Sequence, residues 1–298
     1  MQCRCGRKAI YHRRFSGEFL CGSCLSKSVE KIFRKTIRKY KMIRKGERVA
    51  VGVSGGKDSL ALSHLLSKLK ERLPFTFEAL MIDEGIYGYR DHTIEKAVKS
   101  LNALGISYKI FSFQKEFGFL LDEVESKVSK CSYCGVLRRY ILNKKARELG
   151  FSKLAVGHNL DDEVQTILMN LLRGDFSRFS RTGYRYRKVH EKFVPRIKPL
   201  RGIPEKEVYL YALVNEVDFD ESICPYATEA YREDVRNFLN YMESKRPSTK
   251  YTLLKSYDEL FPYLEALTPK RISTCAKCGE PSISDECKAC LMLEELSR

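Results

Sequence analysis

The stretch RVAVGVSGGKDS, residues 48–59, decides the fold class of this chain. Its first half is rich in valine and other apolar residues, which predicts a buried strand. Its second half is a glycine-rich turn, and residues 60–73, which follow it, have helical periodicity. A strand, a glycine turn and a helix in this order predict one βα unit of an α/β domain.

Strand-like and helical segments alternate along the rest of the chain. This alternation predicts a Rossmann-like, mostly parallel sheet with helices on both of its faces. We also expect an amphipathic helix with a basic outer face at 28–44, and an exposed loop or ribbon over the unpatterned residues 174–203. The predicted strands are 75–82, 107–113 and 153–157, and the predicted helices are 93–104, 135–149, 160–173, 205–216, 229–243 and 249–266.

The chain is strongly basic. Among its 298 residues, 54 Lys and Arg stand against 38 Asp and Glu, so the formal net charge is +16. Such a charge steers a protein toward polyanions. In residues 31–48 and 173–201 the basic residues are interleaved with Phe and Tyr. Basic groups contact phosphates and aromatic rings stack on unpaired bases, so this mixture suits RNA better than a membrane. The alternative is a merely solvated basic surface.

Two further patterns bear on the compartment. No stretch approaches the roughly 20 apolar residues that span a bilayer. The first residues, MQCRC, lack the apolar core of a secretory signal. We therefore expect a cytoplasmic protein without membrane contact, whose cysteines are reduced.

The glycine turn has the features of an anion site. Gly55 and Gly56 let backbone N–H groups approach an anion, the following helix contributes a partial positive charge, and Lys57 contributes a full one. A Walker loop is excluded because Asp58 stands where that motif needs Ser or Thr. The alternative is an ordinary glycine turn with a chance lysine.

A second polar motif, GHNLDDE at residues 157–163, follows the strand predicted at 153–157 and opens a helix. Acidic side chains at a helix N-terminus commonly serve as caps and dipole partners. In a nucleotide site they can also hold Mg²⁺ against phosphates.

The eleven cysteines fall into three groups of four, three and four. The last group has the spacing of a four-cysteine zinc ribbon. In the first group one pair is a residue short of the usual spacing, so either the turn is tighter or His12 replaces a thiolate; we favour four cysteines. The groups are Cys3, Cys5, Cys21 and Cys24; Cys131, Cys134 and Cys224; and Cys275, Cys278, Cys287 and Cys290.

The central trio is the unusual group. Cys131 and Cys134 form a CxxC pair just before the basic helix predicted at 136–149, and such a pair is either redox-active or half of a metal site. Besides this pair, Cys224 is the only other cysteine that neither terminal group needs. Three thiolates suit an iron–sulfur cluster with one open iron. A structural zinc completed by a histidine is the alternative.

The run SGGKDS resembles the PP-loop of the ATP pyrophosphatase superfamily. Together with CSYCGVLRR, GHNLDDEVQT, a late CPY and cysteine-rich ends, it makes the whole chain similar to the TtuA-type tRNA 2-thiouridine synthetases. That family includes archaeal and eukaryotic cytosolic wobble-uridine thiolases. The resemblance implies that ATP adenylates the C2 oxygen of a tRNA uridine, releasing pyrophosphate, and that sulfur then displaces AMP. The sulfur donor would be free sulfide or a ubiquitin-like thiocarboxylate carrier protein.

The resemblance also implies particular site residues and cofactors. Cys131, Cys134 and Cys224 would hold a 4Fe-4S cluster and take part in catalysis. Where some relatives carry a lysine this chain has Arg138, which suits phosphate contact better than proton transfer. The catalytic residues would further include Asp58, Arg138 and Asp162. The site for ATP and Mg²⁺ would comprise Val53, Ser54, Gly55, Gly56, Lys57, Asp58, Ser59, the backbone of Ile82, Arg138, Gly157 and Asp162.

Three units are predicted along the chain. They are an N-terminal zinc finger at 1–27, a PP-loop catalytic domain with a helical extension at 28–268, and a C-terminal zinc finger at 269–298. Each finger would hold one structural Zn²⁺, and the two fingers are small enough to cover one another in a homodimer.

Three other functions stay open at this point. One is a PP-loop tRNA ligase that uses a cysteine persulfide or disulfide instead of a cluster. Another is an amidating synthetase for a small molecule, although no ammonia-producing partner domain is visible in this sequence. The third is a non-catalytic zinc protein that binds RNA.

Overall fold

The computed structural model describes residues 1–125, 128–183, 190–227, 230–266 and 272–296. None of the helices described there is both long enough and apolar enough to cross a bilayer. The strands are β1 (Tyr11–Arg13), β2 (Glu18–Leu20), β3 (Arg48–Val53), β4 (Thr76–Asp83), β5 (Tyr108–Ser112), β6 (Lys153–Ala155), β7 (Arg196–Ile197), β8 (Ser273–Thr274) and β9 (Pro281–Ser282). The helices are α1 (Gly22–Lys39), α2 (Lys57–Lys70), α3 (Arg90–Ala103), α4 (Phe113–Phe117), α5 (Lys130–Glu148), α6 (Leu160–Leu172), α7 (Phe176–Phe179), α8 (Glu205–Val214), α9 (Ala230–Lys245), α10 (Thr249–Ala266) and α11 (Lys288–Leu296).

Five parallel strands form the central sheet, in the order β5-β4-β3-β6-β7. The chain moves outward from β3 through β4 to β5 and then returns to β6, on the other side of β3. Val51 of β3 is paired with Ala79 of β4 and with Ala155 of β6. The loops that follow β3 and β6 therefore leave the sheet side by side. Ligands of open α/β sheets bind at such a reversal of strand order, so the predicted α/β class is confirmed and the fold itself indicates where a site belongs.

Side-chain alternation along β3 divides the interior into two layers. Val49, Val51 and Val53 point into a core that α1, α2, α3 and α8 complete. Ala50 points the other way, into a core shared with α5. Each fully buried valine or leucine contributes roughly 1.5–3 kcal/mol. A third core lies between α6, α7, α9 and α10. Helices on both faces thus fix the sheet and the loops that leave it.

Helices α1 and α5 begin more than a turn earlier than predicted, and for the same reason. In α1 the apolar stripe starts at Leu25 rather than Val29, and in α5 it starts at Tyr133, four residues before Leu137. Burial of Leu25 and of Tyr133 extends each helix by a turn. The prediction that the CxxC pair precedes the helix at 136 was therefore wrong, because both cysteines lie in the first turns of α5.

The prediction of an exposed loop at 174–203 was also wrong for much of its length. Helix α7 and the edge strand β7 lie within it, while residues 184–189 lie outside the described part of the chain. Arg201 is only 1% exposed. Its guanidinium donates to Glu163 Oε2 (3.3 Å) and to Asp258 Oδ1 (2.9 Å). This arginine therefore ties α6 to α10 and is not available to RNA.

Buried ion pairs attach the two ends of the chain to the sheet domain. At the N-terminal end Arg13 makes a two-point contact with Glu207 of α8, at 2.8 and 2.6 Å. At the C-terminal end Glu280 accepts hydrogen bonds from Arg147 and Asn143 of α5. The predicted boundary after residue 27 falls inside α1, so the N-terminal finger and the sheet domain share that helix. The predicted boundary at 268–269 lies outside the described residues.

Candidate functional site

The loop after β3 is shaped for an anion. Gly55 has a φ of +95°, and a Cβ at that position would lie 2.3 Å from the carbonyl oxygen of Thr93, so no residue larger than glycine fits. Ser59 Oγ donates to the carbonyl of Gly56 (2.9 Å) and accepts from the backbone N–H of Ser54 (3.2 Å). The loop is thereby held open at the N-terminus of α2, where free N–H groups favour a phosphate.

Lys57, the first residue of α2, is held between two carboxylates. Its Nζ lies 2.9 Å from Asp58 Oδ2 and 2.8 Å from Glu205 Oε1. Burial opposes its charge, but the two carboxylates outweigh burial and raise the pKa of Lys57 above its usual value. Asp58 also accepts a hydrogen bond from Asn159 Nδ2 at 3.1 Å. A charged ammonium therefore stands at the phosphate loop, and a bound phosphate would have to compete with these carboxylates for it.

The loop after β6 presses directly on the phosphate loop. A Cβ on Gly157 would lie 3.0 Å from the backbone carbon of Asp58, so a larger residue would have to push the two loops slightly apart. Asn159 then caps α6 reciprocally with Asp162: Asn159 Oδ1 accepts from the Asp162 N–H, and Asp162 Oδ2 accepts from the Asn159 N–H, both at 3.1 Å. Burial raises the pKa of Asp162. Capping is the role that the structure shows for Asp162, and binding of Mg²⁺ by it stays a prediction.

A buried ion pair that the sequence analysis missed lies beneath the phosphate loop. Glu84 follows β4 and Arg90 begins α3, and they are 3% and 4% exposed. Arg90 Nε lies 2.6 Å from Glu84 Oε2. The guanidinium of Arg90 also donates to the carbonyls of Ser54 (2.8 Å) and Ile82. The Ile82 backbone, predicted to belong to the ATP site, thus has its carbonyl engaged by Arg90.

The same glutamate reaches the cysteine pair of α5. Glu84 Oε1 lies 3.4 Å from Arg138 Nη1 and 4.0 Å from the Sγ of Cys134. Arg90 and Glu84 therefore link the phosphate loop to the central cysteines through three successive contacts. The sequence did contain a signal for Glu84. It is an acidic residue just beyond the strand predicted at 75–82, at the edge of the sheet where ligands bind.

The three central cysteines come together from distant parts of the chain. Cys131 and Cys134 lie in α5, and Cys224 lies in the loop before α9; all three are half-buried. The Cys131 thiol donates to the carbonyl of Tyr226, two residues beyond Cys224. Burial raises the pKa of Cys134 to about 11, although the charge of Arg138 opposes this, and both other thiols act on it electrostatically.

The spacing of the trio distinguishes it from a single-ion site. Within the described residues, two groups of three or more potential ligands have all their donor atoms within 4.8 Å of one another, and the trio is not one of them. A lone zinc needs its ligands that close. Thiolates on different irons of a cubane stand further apart, so the three thiols fit a 4Fe-4S cluster better than a structural zinc.

The terminal cysteines form the two compact groups. Each has four Sγ atoms within 4.8 Å of one another, as in Cys5–Cys21 at 3.5 Å and Cys278–Cys287 at 3.6 Å. Hydrogen bonds from backbone N–H groups lower the pKa of Cys3 to about 6. His12 is exposed on β1 and stacks on the ring of Phe19 at 4.2 Å between centroids. It takes no part in the N-terminal group, in agreement with the preference for four cysteines.

The predicted site residues thus fall into one group at the sheet reversal and one cysteine group near each end of the chain. The group at the sheet reversal comprises the phosphate loop, Gly157, Asp162, Arg138 and the cysteine trio, together with Glu84, Arg90, Asn159 and Glu205. A phosphate-binding loop beside a second reactive group is the arrangement of an α/β enzyme that uses a nucleotide.

Comparison with known proteins agrees with this arrangement. The family model for the PP-loop domain matches residues 25–242. The tRNA 2-thiolation protein NcsA of Haloferax volcanii is 36% identical, over 99% of this chain and 99% of its own length. The cytoplasmic tRNA 2-thiolation protein 1 of Drosophila melanogaster is 37% identical, over 99% and 87%.

A solved structure is also similar along almost the whole chain. The U34-tRNA thiolase NcsA from Methanococcus maripaludis, with its [4Fe-4S] cluster, is 37% identical with a TM-score of 0.87, covering 99% of this chain and 96% of that one. The chain therefore belongs to the PP-loop family of tRNA 2-thiolation proteins, and the family resemblance drawn from its motifs is confirmed.

Proposed function

We propose that this chain is an ATP-dependent tRNA sulfurtransferase that converts the wobble uridine to 2-thiouridine. The position is proposed because the similar solved structure is that of a U34-tRNA thiolase. The observation that carries the proposal is the contact chain from Ser54 through Arg90 and Glu84 to Cys134. An activated carbonyl and its sulfur must meet in one cleft, and this chain of contacts joins the two halves that such a reaction needs.

The first half activates the uridine. The C2 oxygen would attack the α-phosphate of ATP, the α–β bond would break, and pyrophosphate would leave as AMP becomes bonded to the oxygen. The N–H groups of residues 54–59 and Lys57 would hold the pyrophosphate charge. Lys57 would then exchange its carboxylate partners Asp58 and Glu205 for phosphate. Asp58, freed in this way, and Asp162 would be the ligands for Mg²⁺.

The second half supplies the sulfur. Cys131, Cys134 and Cys224 would hold a 4Fe-4S cluster, which when bound leaves one iron open to present a sulfur atom. Arg138 lies between the halves. Burial opposes its charge, but the electrostatic effects of Cys134 and Glu84 outweigh burial and raise the pKa of Arg138. A permanently charged guanidinium there would stabilise the phosphate of the adenylate rather than transfer a proton.

The remaining cofactors and partners follow from the rest of the molecule. Each terminal cysteine group would hold one structural Zn²⁺, because four close thiols leave no open position. The sulfur donor would be free sulfide or a thiocarboxylate carrier, and the expected homodimer would be visible as twice the chain mass by light scattering. The expected cytoplasmic location agrees with the name of the Drosophila relative.

The decisive experiment is anaerobic reconstitution with unmodified tRNA, ATP and either sulfide or a thiocarboxylated carrier. We expect one AMP released for each 2-thiouridine formed, and mass spectrometry of nuclease fragments should find the thiolated base in the anticodon. A thiolated T-loop would overturn the choice of uridine. Absence of any ATP-dependent thiolation with either donor would overturn the function.

Iron and acid-labile sulfide analysis separates the cluster from a persulfide or disulfide mechanism. Anaerobically purified protein should hold about four irons beyond its zinc, and Cys224→Ala should lose both the iron and the thiolation. Full activity of Cys224→Ala with its cluster intact would show that the trio is not the sulfur site.

A further inference from the structure

Two arginines, Arg139 and Arg196, lie along the helix α5 that carries Cys131 and Cys134. Arg139 follows Arg138 on α5, and its guanidinium folds back along the helix, so that Nη1 lies 3.4 Å from where a Cβ on Gly135 would be. Gly135 is the neighbour of Cys134. Arg196 on β7 donates from Nη2 to the carbonyl of Arg139 at 3.1 Å. The guanidinium of Arg196 therefore lies against the backbone of Arg139, on the helix that carries Cys131 and Cys134.

Their charges are not balanced by the protein. Glu84 is shared between Arg90 and Arg138, so it leaves nothing for a third arginine. Throughout the ranges that the structure describes, neither Arg139 nor Arg196 has a carboxylate within ion-pair distance. Desolvation and the charges of Arg139 and Arg138 lower the pKa of Arg196, which is half-buried, to about 10. Arg139 is exposed to solvent, and partial desolvation together with the charge of Arg138 lowers its pKa as well. A site where arginines lie close together without a neighbouring carboxylate is suited to bind an anion from outside the chain.

Neither ATP nor the iron–sulfur cluster of the proposed reaction accounts for the charges of Arg139 and Arg196. ATP phosphates would lie on the loop 54–59, on the far side of the Glu84–Arg90 pair. A cluster with three thiolates carries little net charge, and Arg138 is already beside Cys134. The remaining candidate is the backbone of the RNA itself, whose phosphates are regularly spaced and accept paired N–H groups from a guanidinium.

We propose that Arg139 and Arg196 bind a phosphodiester of the RNA substrate next to the target nucleotide and so hold its base toward Cys134. The identity of the RNA rests on the proposed function, whereas the anion site itself rests on the charge arrangement. The pair positions the substrate and takes no part in the chemistry. Because it is anchored on α5 and β7, both packed into the sheet domain, it would fix the distance between backbone and cysteine site.

Binding of an unmodified tRNA transcript to the full-length, cluster-containing protein tests this. Affinity would be measured by fluorescence anisotropy between 50 and 200 mM salt, roughly the range in which phosphate contacts weaken. We expect Arg139→Gln and Arg196→Gln each to weaken tRNA binding about 3- to 10-fold and to reduce the slope of log affinity against log salt by about 0.9. ATP affinity and iron content should stay unchanged.

Arg72→Gln is the matched control. Arg72 is exposed just beyond the C-terminal end of α2, at the opposite edge of the sheet, and its substitution removes the same charge; the salt slope should not change. Arg139→Lys and Arg196→Lys keep the charge, so they should keep the slope while losing affinity. Arg196→Lys also serves as a folding control. It removes the guanidinium that donates to the Arg139 carbonyl but keeps a charge for the phosphate.

Each opposite result has a distinct meaning. If the glutamine variants keep the wild-type salt slope, or weaken ATP binding or iron retention instead, the phosphodiester site is wrong and the proposed function stands. If the wild-type protein binds no tRNA in the presence of ATP, the proposed function falls together with this inference.

Discussion

The terminal cysteine groups and the central cysteine trio use the same side chain for opposite purposes. At the ends, four thiols lie within 4.8 Å of one another, and a metal held by all four would have no open position. In the centre, three half-buried thiols do not form such a compact group. Their surroundings differ as well, since Cys134 has Glu84 and Arg138 as neighbours.

This difference teaches how one residue type is divided between stability and chemistry. A complete ligand set contributes its metal-binding free energy to folding. An incomplete ligand set leaves one coordination position free for a substrate. The surrounding protein must then hold the site rigid, because the fourth ligand that would do so is missing. Here the buried Glu84–Arg90 pair supplies it, because it joins the cysteine site to the backbone of the phosphate loop.

The strongest test of this division is Cys224→Ala. We expect tRNA thiolation to fall by about 10³-fold or more, as for loss of an essential group, since the trio cannot hold its cluster with two thiolates. The thermal unfolding midpoint should move by only about 2–4 °C. Thiolation by liquid chromatography and mass spectrometry, together with calorimetry, checks both parts. A large loss of stability with activity retained would reverse the assignment.

The converse substitution is Cys278→Ala in the C-terminal group. Loss of the metal there should lower the free energy of unfolding by several kcal/mol, on the order expected for a structural site. ATP–pyrophosphate exchange should persist, because the phosphate loop lies in another part of the molecule. Zinc content and denaturant titration are the measurements. Chelator treatment of the wild type is a second way to obtain the protein without its zinc. An unchanged unfolding curve after zinc loss would contradict a structural role.

Glu84→Gln tests the support of the central site. It leaves the buried guanidinium of Arg90 without a counter-charge, which costs about 3–5 kcal/mol, and we expect thiolation to fall with it while zinc is retained. Glu78→Gln, on the strand β4 that Glu84 follows, is the matched control, since its contact to Lys109 is a 4.0 Å surface pair and costs about 0–1 kcal/mol. Equal effects from the two variants would remove the special role of Glu84.

Acid should produce the smallest effect. Burial of Glu163 opposes its charge, but Lys198 and Arg201 outweigh burial and lower its pKa below the usual 4.5. Its contribution to stability is therefore present above about pH 4.5 and lost as the pH falls further. Compared with wild type, Glu163→Gln should show a shallower decline below that pH, by at most about 1.4 kcal/mol per pH unit. Denaturant unfolding at each pH, with zinc content measured alongside, checks this, and identical slopes would contradict it.

Much of this molecule could be predicted because its signals are local. The strand, glycine turn and helix of residues 48–70 and the paired cysteines of the ends need only neighbours in sequence to be recognised. The errors also have a common source: whether Tyr133 begins a helix, or Arg201 is exposed, depends on which distant residues bury them. Glu84 and Arg90 were missed for the same reason, since neither belongs to a motif.

The sequence by itself determined the α/β class, the phosphate loop and the division of the cysteines into four, three and four. Backbone conformation and ligand spacing are short-range properties, so a few consecutive residues are enough to specify them. Only the tertiary structure decided that the loops after β3 and β6 touch, that Arg90 and Glu84 join the phosphate loop to Cys134, and that Arg196 contacts the backbone of Arg139. Those contacts connect residues up to about a hundred positions apart, and they arise from the strand order and helix packing that bury the core.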